Sequence, residues 1–328
     1  MPVAERTGSV PLRYLSSAEL DQCLPDVDTR LELATTALSA LSRDGAEMPA
    51  KIGVHPRPGA LLHAMPAWLR DGDLVGLKWV SAYPDNNARG LPATNALVML
   101  NDAETGVVTW IMDGTRITAI RTAAVSGVAL RLLGPDRVDR IALVGAGVQA
   151  RSHIEVIGAL APDAELVIYD HHLERAEAVA AEARTAGRSA SVAGSAKKAA
   201  RAAQVVITMA RLGSASQIMG SDWLAPGTLV IAVDFDTHAS AELARSARVF
   251  AVDDRDQFLS LRASGRFDGY PDPTTTLGDL INGPGGAGGP GDGHFLVNHL
   301  GIGLADVVFA NDICRRAMEH GLGMELPR

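Results

Sequence analysis

The sequence predicts an α/β protein, built from a doubly wound parallel sheet and a second domain of α+β type. Three observations predict it. An apolar strand at 141–145 runs straight into a glycine-spaced turn. From there on, short apolar runs alternate with Ala-rich helical stretches, the pattern of βαβ units. The first 120 or so residues have a different texture, one amphipathic helix followed by short strands that Pro, Gly and Asn interrupt.

In chain order, Leu31, Ala34, Leu38 and Leu41 recur at helical spacing until Gly45 stops the pattern. Strands are expected at 51–54, 61–65, 74–80 and 96–100, forming a mainly antiparallel sheet. A long helix over 115–133, ended by Gly134-Pro135, bridges into the second half. There, strands are expected at 165–169, 204–209, 227–234 and 248–252, with helices at 173–186 and 241–247. The run T-L-V-I-A-V at 228–233 is apolar on both faces, as a central strand covered by helices requires. Residues 283–293, G-P-G-G-A-G-G-P-G-D-G, hold no regular structure and form a linker or a mobile flap. A last helix over 304–320 places Val307, Ala310, Cys314 and Ala317 on one apolar face and is expected to return to the first domain.

Composition narrows the function. With 328 residues, 47% of them hydrophobic, the chain buries a core large enough for two domains. A net charge of -8 without Lys/Arg runs excludes nucleic acid and an anionic membrane as the main partner, which leaves a small molecule. Cys23 and Cys314 lie far apart without a C-x-x-C, so neither a disulfide framework nor a thiolate metal site is indicated. His153, His238, His294 and His299 lack ligand spacing, and no metal is expected. With no leader-like start and no apolar run of about 18 residues, a cytoplasmic protein without a membrane span is expected.

The turn itself reads I-A-L-V-G-A-G-V-Q-A. Gly145 permits the tight bend, Gly147 lets backbone approach a pyrophosphate, and the small Ala150 lets the next helix pack on the strand. The helix N-terminus then faces phosphates. The following strand ends in Asp170, at the spacing for an acid that binds ribose hydroxyls. This marks a Rossmann-type dinucleotide site and favours NAD; His171 and His172 in place of an arginine leave NADP open. Capping of the next helix is the competing role for Asp170.

Three cations stand in apolar settings. Lys78 lies within L-V-G-L-K-W-V, where alternation puts it on one face with Gly76 and Val80. It is either an edge lysine reaching water or a partly desolvated ammonium that holds a carboxylate or exchanges a proton. Arg121 shares a helix face with Ile117, Ala124 and Val128 and wants a carboxylate, from a ligand or from this chain. Lys51 lies opposite Ile52 and Val54, and the three together suit one small anion. Asp234 and Asp236, leaving the carboxyl end of a parallel strand, are placed for one to face the cleft and the other to cap.

Several segments together resemble the ornithine cyclodeaminase/µ-crystallin family, which includes archaeal-type alanine dehydrogenases, cyclic ketimine reductases and lysine cyclodeaminases. They are G-L-K-W-V-S-A-Y-P-D-N-N-A-R-G-L-P at 76–92, L-N-D-A-E-T-G at 100–106, M-D-G-T-R-I-T-A-I-R-T-A-A at 112–124, V-G-A-G-V-Q-A-R at 144–151 and G-I-G-L-A-D-V at 301–307. The resemblance implies a substrate-binding and dimerisation domain from 1–122 and 302–328, a Rossmann domain from 123–301, and a homodimer formed through the first. It implies that Arg121 and Lys78, with Lys51 and Thr94, hold a substrate carboxylate, and that Gly145, Ala146, Gly147, Val148, Gln149 and Ala150, with Asp170, Thr122 and Val233, hold the cofactor. An aspartate after the fifth Rossmann strand then meets the reacting or side-chain amine; counting back from Glu242-Leu243 puts it at Asp236, with Asp234 as the fallback, beside Lys78 in catalysis. Lys51 stands where ornithine cyclodeaminases carry arginine, and Ala93, with Thr94 beside it, where a threonine is expected; both differences point away from ornithine. The implied chemistry is hydride transfer between nicotinamide and the Cα of an amino acid through an imine. A dehydrogenase, a cyclodeaminase and an imine reductase all use it, and a µ-crystallin-like binding protein is the non-catalytic alternative.

Overall fold

The computed structural model describes residues 10–210, 216–283 and 293–327. The glycine-proline stretch at 284–292 lies outside the described residues. The first sheet takes β1 (Leu12–Leu15), β2 (Ala46–Glu47), β3 (Ile52–Val54), β4 (Leu61–Leu69), β5 (Leu74–Ala82), β6 (Thr94–Asn101) and β7 (Val108–Asp113). The second takes β8 (Arg140–Val144), β9 (Glu165–Tyr169), β10 (Ala190–Val192), β11 (Val205–Thr208), β12 (Leu229–Ala232), β13 (Val249–Val252), β14 (Thr275–Thr276) and β15 (Phe295–Asn298); β16 (Met324–Leu326) returns to the first.

Strands β4 to β7 form the expected antiparallel meander, but β1 joins β7 in parallel, so the sheet is mixed. β4 runs four residues beyond the expected end at 65, straight through Pro66. The proline pairs with Leu77 on β5, and on its other side it falls between the short partners β3 and β2, so its missing N–H deprives no ladder. One row across the sheet, Leu15, Met112, Val98, Lys78 and Met65, is buried. It packs under the Gly303–Glu319 helix, which does return to the first sheet. The neighbouring row points outward and exposes Ile52, Trp79 and Leu97.

The second sheet is parallel throughout, in the order β10-β9-β8-β11-β12-β15-β13-β14, with β12 in its interior as its two-faced apolarity requires. Successive strands run one way from β8 and the other way from β11, which makes the β8/β11 boundary the switch point where ligands bind.

Between the sheets lies the Gly114–Leu133 helix, capped by Asp113, whose carboxylate accepts from the N–H of Thr115 at 2.7 Å. Fifteen of its 20 residues are buried, so it is core to both halves rather than a surface connector. At Gly127 a Cβ would stand 2.6 Å from side-chain carbons of both Leu31 and Val156, so only glycine lets the Val27–Ser42 and Val148–Leu160 helices close on it together.

Candidate active site

The glycine turn begins at the end of β8. Gly145 has φ +114°, its N–H donates to Tyr169 O at 2.7 Å, and a Cβ would lie 2.6 Å from Met209 O, so both conformation and space demand glycine. Gly147 is different: a Cβ there would meet nothing within 4 Å, so its backbone borders open space. It is the N-cap of the Val148–Leu160 helix and no side chain caps that end, which leaves the first-turn N–H groups free to receive an anion. Val148 is exposed, and Ala150 is wholly buried where the helix meets the sheet. These features fit a dinucleotide pyrophosphate.

Asp170 at the end of β9 grips its own surroundings. One carboxylate oxygen accepts from Ala146 N and the other from His172 N, each at 2.8 Å. It thus ties the glycine turn to the next helix and still presents acceptor lone pairs. Val233 closes β12 by donating to Thr208 O at 2.8 Å, and Thr122 is buried beside Arg121.

The cations meet around a residue that sequence reasoning did not single out. Lys78 Nζ and Arg121 Nε each donate to Asp306 Oδ1 at 3.1 Å. Asp306 is fully buried on the Gly303–Glu319 helix, and its second oxygen has no hydrogen-bond partner among the described residues. Lys78 is interior on β5, not an edge lysine. Arg121 lies flat on Gly301, where a Cβ would come within 2.8 Å of its guanidinium; Gly301, at φ +83°, is held by the Asp253 carboxylate, which also takes Leu300 N. Lys51 Nζ donates to Leu300 O. Burial lowers Lys78 to a pKa of about 7 and Lys51 to about 8, while neighbouring carboxylates, Asp306 for Lys78 and Asp253 for Lys51, pull the other way.

Arg121 spends only Nε on Asp306; its two terminal nitrogens carry no hydrogen bond among the described residues, and the side chain retains a trace of exposure. Arg121, Lys78 and Lys51 thus gather three cations about Asp306, Leu300 and Gly301, a set of charges complementary to a carboxylate. Thr94 does not join them. It is exposed at the start of β6, four residues from the Val98 that pairs with Lys78, about 13 Å along the strand.

Both aspartates after β12 are fully buried and engaged. Asp234 accepts from Thr208 Oγ1 at 2.6 Å, Ala210 N at 3.1 Å and His238 Nδ1 at 2.7 Å. Asp236 accepts from Phe267 N at 2.8 Å and pairs with Arg266 at 2.8 Å. These contacts hold the loop together; Asp236 Oδ1 faces the Arg266 guanidinium as an ion pair and has no hydrogen-bond partner among the described residues.

A second buried network ties the Gly114–Leu133 helix to the Val148–Leu160 helix and to the residue following β15. His153 Nδ1 donates to Gln149 O at 2.7 Å, so its Nε2 accepts from Ser126 Oγ at 2.8 Å, and Ser126 accepts in turn from His299 Nε2 at 2.9 Å. Burial holds both imidazoles neutral, lowering His153 to a pKa of about 4 and His299 well below the usual range. Among the described residues no group of three or more His, Cys, Asp or Glu is arranged to hold a metal, and no helix is long and apolar enough to cross a membrane.

Fold and site together define a protein with a parallel Rossmann-type sheet, a glycine turn at its β8 end, and a mixed sheet whose buried face carries Lys78. The chain belongs to the ornithine cyclodeaminase/mu-crystallin family, whose model matches residues 18–320. It is 34% identical over 317 residues to the nodulation efficiency protein NfeD of Rhizobium meliloti, covering 95% of this chain and 98% of that one. Among solved structures it resembles an archaeal alanine dehydrogenase dimer with bound NAD, at TM-score 0.86 and 27% identity over 96% of this chain and 99% of that one. It also resembles the Thermococcus litoralis Delta(1)-pyrroline-2-carboxylate reductase in complex with NADH and L-proline, at TM-score 0.85 and 25% identity over 96% of this chain and 100% of that one.

Proposed function

We propose that this chain is an NAD-dependent enzyme that transfers hydride between the cofactor and the Cα of an amino acid or the corresponding imino acid. One observation carries the reading: Arg121 is anchored through Nε by Asp306 and keeps both terminal nitrogens for a ligand, beside Lys78 and Lys51. A carboxylate held there bidentately by Arg121 fixes the position of the attached Cα.

When bound, the nicotinamide supplies the hydride donor or acceptor. The chain supplies the rest. The Gly145–Ala150 turn and the uncapped helix N-terminus receive the pyrophosphate. Asp170 disfavours a 2′-phosphate by charge, which selects NAD over NADP. Lys78, with its pKa brought down to about 7, can give or take a proton at the substrate nitrogen near neutral pH. The fate of the imine distinguishes three reactions: attack by water gives a dehydrogenase, ring closure by a side-chain amine a cyclodeaminase, and net reduction an imine reductase.

The outward row Ile52, Trp79 and Leu97 on the first sheet supports a homodimer through that face. Incubation with NAD and single amino acids, following NADH and ammonia, and with NADH and cyclic imines, following NADH loss, tests the activity. Silence with every substrate in both directions would refute it.

A further inference from the structure

Phe235 stands in the loop leaving β12 with φ +59°, a conformation that a bulky side chain enters only under strain. The backbone on both sides of it is pinned, by Asp234 through Thr208, Ala210 and His238 and by Asp236 through Phe267 and Arg266. The ring is therefore set in place by its flanks. Lys51 Nζ lies 5.7 Å from the ring centroid, and Arg266 Cζ lies 5.6 Å from it. Lys51 also belongs to the cation group at Arg121 and Lys78, so Phe235 borders the space next to the carboxylate.

We propose that Phe235 sets the substrate side chain: the site takes amino or imino acids whose side chain is compact and uncharged, a closed ring included, and rejects those ending in an ammonium. This rests on the reading of the site as one for amino-acid hydride transfer. A side chain on the Cα fixed by the carboxylate grip must lie near the Phe235 ring. An apolar side chain gains contact with the ring there. A terminal ammonium instead meets Lys51 and Arg266, both of its own sign, and the two aspartates that would receive it are already bonded to Arg266, His238 and backbone N–H groups. The Asp236 role implied by the family resemblance is thus replaced in this chain by an Asp236–Arg266 pair that steadies the loop under Phe235.

The test measures kcat/KM for alanine, proline, leucine, ornithine and lysine with NAD, on the full chain and on Phe235→Gly. Glycine adopts positive φ freely, so the loop keeps its path while the wall is removed. Phe235→Asn, which also tolerates that conformation, serves if the glycine variant does not fold. The wild type is expected to favour alanine or proline over both diamino acids by about 100-fold. The variant is expected to raise the leucine-to-alanine ratio about tenfold with its NADH affinity retained. A wild-type preference for ornithine or lysine, or an unchanged leucine-to-alanine ratio in the variant, overturns the proposal while leaving hydride transfer intact. A protein that binds NADH and turns over nothing in either direction defeats the functional reading itself.

Discussion

Lys78 and Arg121 donate to the same oxygen, Asp306 Oδ1, at the same distance of 3.1 Å. One buried carboxylate from the Gly303–Glu319 helix thus orients two cations that come from a strand and from a different helix. Asp306 brings one negative charge against two positive ones, which leaves the pair electrostatically in want of a second anion.

Replacing Asp306 by Ala is expected to destabilise the protein by about 3–5 kcal/mol, because two buried cations lose their shared partner. Thermal or urea unfolding measures this. A variant as stable as the wild type would mean that the cations find water when Asp306 is gone.

On the proposed role of its guanidinium as the carboxylate grip, Arg121→Ala is expected to lower kcat/KM by about 100-fold or more, with NAD affinity unchanged. Steady-state kinetics beside NADH fluorescence titration separates the two. Loss of cofactor affinity with substrate binding intact would sink the carboxylate role.

The pH dependence arises from Lys78 and Lys51, whose folded pKa values are lowered from 10.5 to about 7 and about 8. Between those values and 10.5 the unfolded chain holds more protons than the folded one, so these groups make stability rise with pH in that window. On the proposed reading function runs the other way, because a carboxylate grip needs the ammonium forms: KM is expected to rise as pH climbs through about 7 to 8. Lys78→Met should remove part of the stability slope and flatten the KM profile. A KM profile that is flat in the wild type would show that Arg121 alone holds the substrate.

Asp170→Ala is expected to weaken NAD binding and to narrow the preference over NADP, with a drop in stability as the N–H groups of Ala146 and His172 lose their acceptor. Calorimetric titration with both cofactors reads this directly. Unchanged NAD affinity would leave Asp170 as a brace for the turn only.

Trp79→Glu on the outward face of the first sheet is expected to yield a monomer by light scattering, with the buried Lys78 row on the opposite face undisturbed. A variant that keeps the wild-type mass would move any interface elsewhere.

Much of this arrangement is legible in the sequence because it depends on short-range constraints. The bend at Gly145, the small residue at Ala150 and the two-faced apolar run of β12 are each decided by neighbours within a few positions. The out-of-place charge of Lys78 and Arg121 is equally visible. Their partner is not, since Asp306 is separated from them by 228 and 185 residues, although an acid amid the apolar G-L-A-D-V-V-F-A run is a signal of the same kind. The extension of β4 through Pro66 is hidden because a strand tolerates proline only where one flank lacks a partner, and that depends on distant segments. The fate of Asp236 is hidden too: an Arg266 side chain 30 positions on, pinned beneath Phe235, has no local signature.

Arg121 and Ser126 sit on the same unbroken helix, five residues apart, which sets them about 7.5 Å apart along its axis. The first contacts Asp306 and the second, through His153, the carbonyl of Gln149. A single rigid rod thereby serves as the gauge between the two halves. Because the helix is unbroken, neither residue can shift along its axis without the other, so a displacement at the Asp306 cation group is carried to the helix that starts at the glycine turn.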